Sequence, residues 1–351
     1  MSARPTARRW QIRFAWMVVF VAAGSLAFGW LWPDLGDDGR LIAPLNWLAF
    51  MLRTFTPHAA MFLALSALLA SQRRLWRPAA SMLTLAACCA APIGLSFLPR
   101  EGQRIADADA ITIMSCNVMY GRANAAAMLA EIDAHGPDVL VIQEYTGAMH
   151  TRVGHELSAR FPHSAVAQRD DAFGMAVYSR IEFSQAPVLY PALRGSVTGG
   201  AIGRDWTCAE PQIRVVIRRG EHEIVVQGVH TLPPIRPSYL REQRRLVRGF
   251  AAWAERERRP VILAGDLNHT STAQSARWLA RAGLTDTHAA AGNGRGLTWP
   301  DGAYGGLWRV LGFRLDHIFA GAGLACEWTK VGASIDGDHR PVIARIGTRG
   351  R

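Results

Sequence analysis

The hydrophobic pattern changes character near Arg100. Upstream, long apolar stretches are separated by short arginine clusters. Downstream, apolar runs shrink to strand length among charged residues, Gly and Pro. Residues 14–32 read FAWMVVFVAAGSLAFGWLW, nineteen residues without a charge, preceded by Arg8, Arg9 and Arg13 and ending in tryptophans. As a helix that length crosses the hydrocarbon of a bilayer, about 30 Å thick, with Trp at the interface. A secretory leader is disfavoured, because Trp30, Leu31, Trp32 and Pro33 supply no small-residue cleavage site. A second apolar stretch begins near Leu41 and is interrupted by Arg53 and Pro57, so the expected span is 55–71 with an interfacial lead-in. The third, 78–98, is charge-free; Pro92 inside it is tolerated where neighbouring helices re-satisfy the freed carbonyl.

Short-loop charge sets the expected orientation. The N-terminal arginines and the loop with Arg73, Arg74 and Arg77 belong in the cytoplasm, and Asp34, Asp37 and Asp38 in the opposite loop. Three spans then place the rest of the chain on the far side of an inner or plasma membrane; two spans place it inside. The expected organisation is a membrane region at 1–100 and a separate domain at 101–351, long enough to bury its own core.

In that domain, 111–118 reads as a strand, 123–135 as a helix stopped by Gly136 and Pro137, and 138–143 as a strand buried on both faces. Further strands are expected at 174–179, 212–218, 223–229, 261–264, 315–319 and 341–346, with a long amphipathic helix over 237–259. Helices alternating with strands first, and closely spaced strands later, suggest two packed sheets covered by helices.

The net charge of +11 invites a nucleic-acid reading, but residues 1–100 hold ten Arg and three Asp, net +7, leaving +4 for the other 251 residues. Most of the excess therefore reports membrane orientation. Cys88, Cys89, Cys116, Cys208 and Cys326 form no CxxC pair and no zinc-like spacing. A Cys208–Cys326 bridge stays open, conditional on an oxidising compartment.

Candidate chemistry sits where apolar runs stop. Asn117 ends the first strand and Glu144 the second; His230 follows VVQGV; Asp266 and Asn268 follow VILAG; Asp316 lies in LDHIF; Asp338 and His339 precede PVIARI. Burying so many ionisable groups beside a core is costly unless they are paired, hydrogen-bonded or bound to a metal. Their hard oxygens suit Mg²⁺ or Mn²⁺ rather than zinc, and such a centre suits phosphoryl chemistry. Each residue also has a plainer reading: Asn117, Asn268 and Asp266 as turn formers, His317 as a packed strand residue, His269 as a loop residue, and Arg340 as a phosphate clamp or a surface ion pair.

The runs SCNVMYGR, PDVLVIQE, VHTLPP, LAGDLNHT, RLDHIF and GDHRPV, in that order, resemble the endonuclease/exonuclease/phosphatase superfamily across nearly all of 111–346. The resemblance implies a four-layer αββα sandwich with two central mixed sheets, and Mg²⁺-dependent attack of water on phosphorus, with Mn²⁺ as a substitute. It implies Glu144 as principal metal ligand, Asn117 beside it at the metal and phosphate, and Asp338 near the metal. It gives Asp266 the water, Asn268 and His230 phosphate oxygens, and His339 the scissile phosphate, oriented by Asp316. Gly337 departs from the Ser that often precedes the final Asp-His pair. His230 places the chain nearer the branch with secreted deoxyribonucleases and sphingomyelinases than the abasic-site repair branch.

The expected function is a membrane-anchored hydrolase of phosphoesters, foremost a phosphodiesterase, whose partners are the bilayer and a nucleic-acid or phospholipid substrate; no protein partner is inferable. The alternative from another class is a catalytically silent binding or scaffold domain of the same fold. A transporter is disfavoured, since the spans carry no paired charges and no repeat.

Overall fold

The computed structural model describes residues 5–33, 35–36, 41–196, 202–302 and 306–348; Asp34, Asp37 and Asp38 lie outside these. The chain divides into two compact units, Met1–Leu98 and Pro99–Arg351.

The first unit holds four helices: α1 (Pro5–Leu31), α2 (Ile42–Thr54), α3 (Thr56–Gln72) and α4 (Trp76–Ser96). Ala7–Leu31 and Trp76–Ser96, with mean hydropathies of 1.9 and 1.6, are long and apolar enough to cross a membrane. The middle segment has a helix, α3, at the expected 55–71, and the stretch expected as a lead-in is itself helical, α2. It is two helices, α2 and α3, bent by 62° at the break between them. Pro57 stands in the first turn of α3, where its missing N–H costs nothing but where its ring prevents a helix from continuing straight through. Arg53 is buried, and its Nη2 donates to the Trp32 carbonyl at 3.0 Å, while Asn46 Oδ1 accepts the Trp32 indole N–H at 2.8 Å. The charge that interrupts the apolar pattern thus holds the chain just beyond α1. Buried Ala60, Ala67, Ala70, Ala79 and Ala86 allow close helix packing, while Phe20, Phe62, Leu65, Leu69 and Leu83 face outward, a surface suited to hydrocarbon.

The second unit is the four-layer sandwich. One sheet has six strands in the order β12-β13-β1-β2-β4-β3, from β1 (Ala110–Asn117), β2 (Val139–Gln143), β3 (His163–Ala167), β4 (Met175–Ser179), β12 (Leu324–Val331) and β13 (Val342–Thr348). The other has five in the order β10-β11-β9-β8-β7, from β7 (Arg214–Arg219), β8 (His222–His230), β9 (Val261–Asp266), β10 (Thr285–Asp286) and β11 (Asp316–Ala320). A separate two-stranded antiparallel sheet pairs β5 (Ala192–Ser196) with β6 (Ile202–Thr207). Each sheet has one parallel pair near its middle, connected through a helix: β1 and β2 through α5 (Ala125–His135), β8 and β9 through α7 (Pro237–Ala254). All other neighbours are antiparallel.

Side-chain period two sorts each strand into faces. Ile111, Ile113, Val139, Val141, Ile224, Val226, Ile262, Ala264, Ile318 and Ala344 fill the core between the sheets. Met114, Cys116, Leu140 and Ile142 pack outward against α5 and α6 (Gly147–Arg160). Val225, Val229, Leu263 and Phe319 pack outward against α7 and α8 (Gln274–Arg281). Each fully buried Val or Ile here contributes on the order of 1.5–3 kcal/mol of hydrophobic stabilisation. α7 ends at Ala254, short of the expected 259, because Pro260 disfavours a helical Arg259, which instead donates to Glu257 at 2.8 Å. Cys208 and Cys326 are free and lie in different core clusters, Cys208 outside the second sheet and Cys326 between the sheets. The open bridge is not formed.

Candidate active site

Inward parity carries straight from the core into the polar strand ends. Ile111, Ile113 and Ser115 lead to Asn117; Ile224, Val226 and Gly228 lead to His230; Ile262 and Ala264 lead to Asp266; and Asp316 opens the face continued by Ile318. Register then aligns them, since His230 pairs with Asp266 and Asp266 with Asp316, so three inward polar groups stand on adjacent strands. In the other sheet Asn117 pairs with Gln143, and Glu144 follows immediately.

Glu144 takes a left-handed backbone, φ 60°, as does Asn268 at φ 48°. A non-glycine residue there costs on the order of 1–3 kcal/mol, and such strain clusters at functional sites. The turn delivers Glu144 to its partners. Its Oε2 accepts the Tyr120 N–H at 2.7 Å, and its Oε1 accepts from Asn117 Nδ2 at 3.0 Å. The same Asn117 nitrogen donates to Asp266 Oδ2 at 3.1 Å, which links the two sheets through one amide. Asn117 Oδ1 accepts the Met119 N–H at 2.9 Å. Asn268 donates its backbone N–H to Asp266 Oδ1 at 2.8 Å and its Nδ2 to the Thr231 carbonyl at 2.8 Å.

His339 binds Asp316 Oδ2 through Nδ1 at 2.8 Å and turns Nε2 toward Asp266 Oδ2, 3.8 Å away. His230 Nε2 lies 3.9 Å from Glu144 Oε1 and 3.8 Å from Asp266 Oδ2. Asp338 is half-buried, with Oδ1 shielded and unpartnered, as is Asp316 Oδ1. All eight expected site residues therefore meet at one end of the sandwich. His317 packs outward on β11, stacked between His269 and Phe319. His269 lies in the loop after β9, as expected, and is fully buried there.

Three supporting residues escape sequence reasoning. Gln212 donates to the His230 carbonyl at 2.8 Å and accepts its N–H at 2.9 Å, replacing a strand neighbour. Gln243 of α7 donates to the Leu267 and Asn268 carbonyls at 3.1 and 2.8 Å. Thr298 Oγ1 accepts the Leu315 and Asp316 N–H groups at 3.0 and 3.3 Å. Gln243, a polar residue on the buried face of a strongly amphipathic helix, is the one that carried a signal.

The electrostatics are unbalanced. Burial, then Asp316, pushes Asp266 up to about 8, against the opposing pull of His339 and the Asn268 and Asn117 donors. Burial also raises Glu144, opposed by Asn117, Tyr120 and His339 and reinforced by Asp338. Burial would lower His339, but Asp316, Asp266 and Asp338 outweigh it and raise it to about 10, so the ring is cationic. His230 falls to about 4 through burial and the nearby His339, and is neutral. Four acidic side chains, Asp266 keeping its proton at neutral pH, face one imidazolium, and two shielded carboxylate oxygens lack partners; a divalent cation would compensate this excess and displace the Asp266 proton. Ligand atoms of Asp266, Asp316 and His339 lie within 4.8 Å of one another. Asp316 already binds a cationic His339, however, so that trio is a poor cradle. Asp338 Oδ1 is unpartnered, and Glu144 presents both oxygens to the same crevice through its bonds to Asn117 and Tyr120.

The sequence model of the Endonuclease/Exonuclease/phosphatase family matches residues 114–339. The chain belongs to this family, whose members are hydrolases of phosphoester bonds and generally use divalent metal ions. None of the curated proteins matches the chain. Among solved structures, the chain is similar to an endonuclease/exonuclease/phosphatase from Beutenbergia cavernae, with 19% identity, TM-score 0.50, and 69% of this chain and 72% of that one covered. It is similar to a functionally unknown conserved protein from Enterococcus faecalis, with 18% identity, TM-score 0.51, and 68% and 100% covered. It is also similar to D. rerio TDP2 complexed with single strand DNA product, with 15% identity, TM-score 0.51, and 68% and 99% covered. These likenesses show the fold.

Proposed function

We propose that the chain is a membrane-held, Mg²⁺-dependent phosphodiesterase whose first unit anchors it and whose second is catalytic. The observation that carries this reading is the Asn117 amide joining Glu144 to Asp266 across two sheets, beside the Asp316–His339 pair. Glu144 and Asp338 would hold the ion, with Asn117 fixing the carboxylate of Glu144, and Mn²⁺ would serve as a substitute. When bound, the ion neutralises phosphate oxygens and lowers the pKa of water. Asp266 orients the attacking water and accepts its proton. Asn268 exchanges its 3.3 Å contact with Asp266 for a phosphate oxygen. His339, charged and held by Asp316, donates Nε2–H to the scissile phosphate, and neutral His230 donates to a second phosphate oxygen. Nucleic acid and phospholipid headgroups are the substrate classes to screen, and the D. rerio protein of the same fold with a DNA product puts nucleic acid first.

The test is hydrolysis of bis-p-nitrophenyl phosphate by the detergent-purified full chain with Mg²⁺, Mn²⁺ or EDTA, beside Glu144→Ala and His339→Ala. Metal-dependent turnover lost in both variants is expected. Turnover indifferent to EDTA, or surviving in Glu144→Ala, would overturn the assignment. The two apolar helices, with the bent pair between them as a third crossing, support membrane association. A periplasm-dependent reporter fused after Arg351 is expected to be active, and a reporter active only in the cytoplasm would reverse the orientation.

A further inference from the structure

A cavity of about 140 Å³ lies beside His230 and is not used by the chemistry above. Its apolar wall comes from Phe173, Leu232 and Leu246, and its charged lining from Glu210, Glu242 and Arg245. His230 belongs both to this cavity and to the catalytic crevice, where its Nε2 stands 3.9 Å from Glu144. A group attached to a phosphate at the crevice would therefore reach the cavity within a few bonds.

The wall is built in advance. Phe173 lies against the His230 ring, centroids 5.8 Å apart and planes tilted by 36°. Its loop is pinned from inside, because Asp171 Oδ1 accepts the Phe173 N–H at 2.8 Å and Asp171 Oδ2 binds Arg169 at 2.6 Å. The next residue, Gly174, sits so close to the Tyr145 carbonyl that a Cβ would stand 2.1 Å from it. A loop fixed in this way loses little further freedom when a ligand binds.

Volume and charge narrow the occupant. A cavity of roughly 150 Å³ accepts one benzene ring. Among the charged lining residues two are carboxylates and one is a guanidinium, with Arg245 Nη1 3.5 Å from Glu242, so a second phosphate would meet net negative charge. An aromatic wall, space for one ring and a lining hostile to anions together suit a flat uncharged ring with hydrogen-bonding edges. We infer that this cavity is a specificity subsite for one aromatic ring, such as a nucleobase, carried by the phosphodiester, stacked along Phe173 and backed by Leu246. The inference rests on the phosphodiesterase reading and names the side of the crevice from which the substrate is chosen.

The experiment uses the Mg²⁺-loaded full chain and three p-nitrophenyl phosphodiesters whose second substituent is methyl, thymidin-5′-yl or inositol. The readout is the ratio of kcat/KM for each ring-bearing ester to that for the methyl ester, in the parent, Phe173→Ala and Leu246→Trp. Stacking of one base on an aromatic side chain corresponds to about a tenfold preference. The thymidine ratio is expected near ten in the parent, and to fall several-fold in Phe173→Ala, which removes the wall, and in Leu246→Trp, which fills the space. A thymidine ratio that stays within twofold of the parent in both variants would overturn the subsite while leaving the chemistry standing, and an inositol ratio above the thymidine ratio would overturn the choice of an aromatic ring. No turnover of any ester, methyl included, by the parent would remove the phosphodiesterase reading and the subsite with it. Phe173 is half-buried, so its truncation is the milder change and keeps the comparison interpretable if Leu246→Trp folds poorly.

Discussion

Two buried polar clusters share strand β11 and have opposite characters. On the inward face, Asp316 joins His339, Asp266, Glu144 and Asp338 in a crevice with surplus negative charge and unpartnered oxygens. On the outward face, His317 lies beside Asp286, whose carboxylate takes two bonds from Arg314 at 2.9 and 2.6 Å, while His317 Nε2 bonds the His269 carbonyl at 2.9 Å. The outward cluster neutralises its own carboxylate; the inward one does not. Burial is equal in kind, and the outward cluster has its own unpartnered His269 Nε2, so uncompensated carboxylate charge, not burial, marks where a cation belongs.

The largest expected effect that separates the two is catalytic. His339→Ala should lower kcat/KM by about 10²–10³-fold and also lower the thermal midpoint, because it orphans buried Asp316, whereas Glu144→Ala should be at least as severe for turnover while the metal-free midpoint holds or rises, because it removes a surplus carboxylate. Steady-state hydrolysis beside calorimetry checks this, and a large loss of stability in both would mean the crevice is structural. Next comes Asp286→Asn, which leaves Arg314 buried and unpaired and should cost about 3–5 kcal/mol in denaturant unfolding. A change under 1 kcal/mol would erase the contrast.

Mg²⁺ at a hundred times its dissociation constant should add about 2.7 kcal/mol to the parent and much less to Glu144→Ala, whereas Asp286→Asn should keep the metal response. The smallest effects are in pH. Asp286 is buried, yet Arg314 and His317 hold it well below the ordinary carboxylate range, so its stabilisation is complete above about pH 4 and lost as pH falls further. Raised Asp266 and His339 act elsewhere: the folded protein retains protons there that the unfolded chain releases, so metal-free stability should decline into the alkaline range, from near pH 4 through about 8 for Asp266 and from near pH 6.5 through about 10 for His339. Asp266→Asn should flatten that alkaline decline, and Asp286→Asn should flatten only the acid limb. Unfolding curves at stepped pH would expose a shared slope if the clusters were alike.

Much of this was legible because the catalytic set borrows the parity of the core. Apolar runs such as VILAG and VVQGV announce strands, and a polar residue two positions beyond an inward apolar one stays inward. What the sequence hides is contact between distant segments. Gln212 and Thr298 sit in loops with no periodicity, and only the fold shows which N–H groups they satisfy. The left-handed turn at Glu144 was equally silent, since nothing about a Glu before a Tyr demands positive φ. α6 and α8 are hidden because Gly and Arg dilute their apolar faces, and α8 is only eight residues long. The bend before α3 was half visible: Pro57 marked a break, but the helicity of residues 42–54 was masked by their polar interruptions.

The shared parity also limits how this chain can change length. One residue inserted between Ile262 and Asp266 would turn everything after it by half a pleat, sending Asp266 toward α7 and an apolar neighbour into the crevice. Two residues would restore the facing but carry the carboxylate about one strand-step beyond Asn117. The segments between strands can therefore vary in length, while the strands themselves act as fixed-length rulers, measured from the core to the crevice.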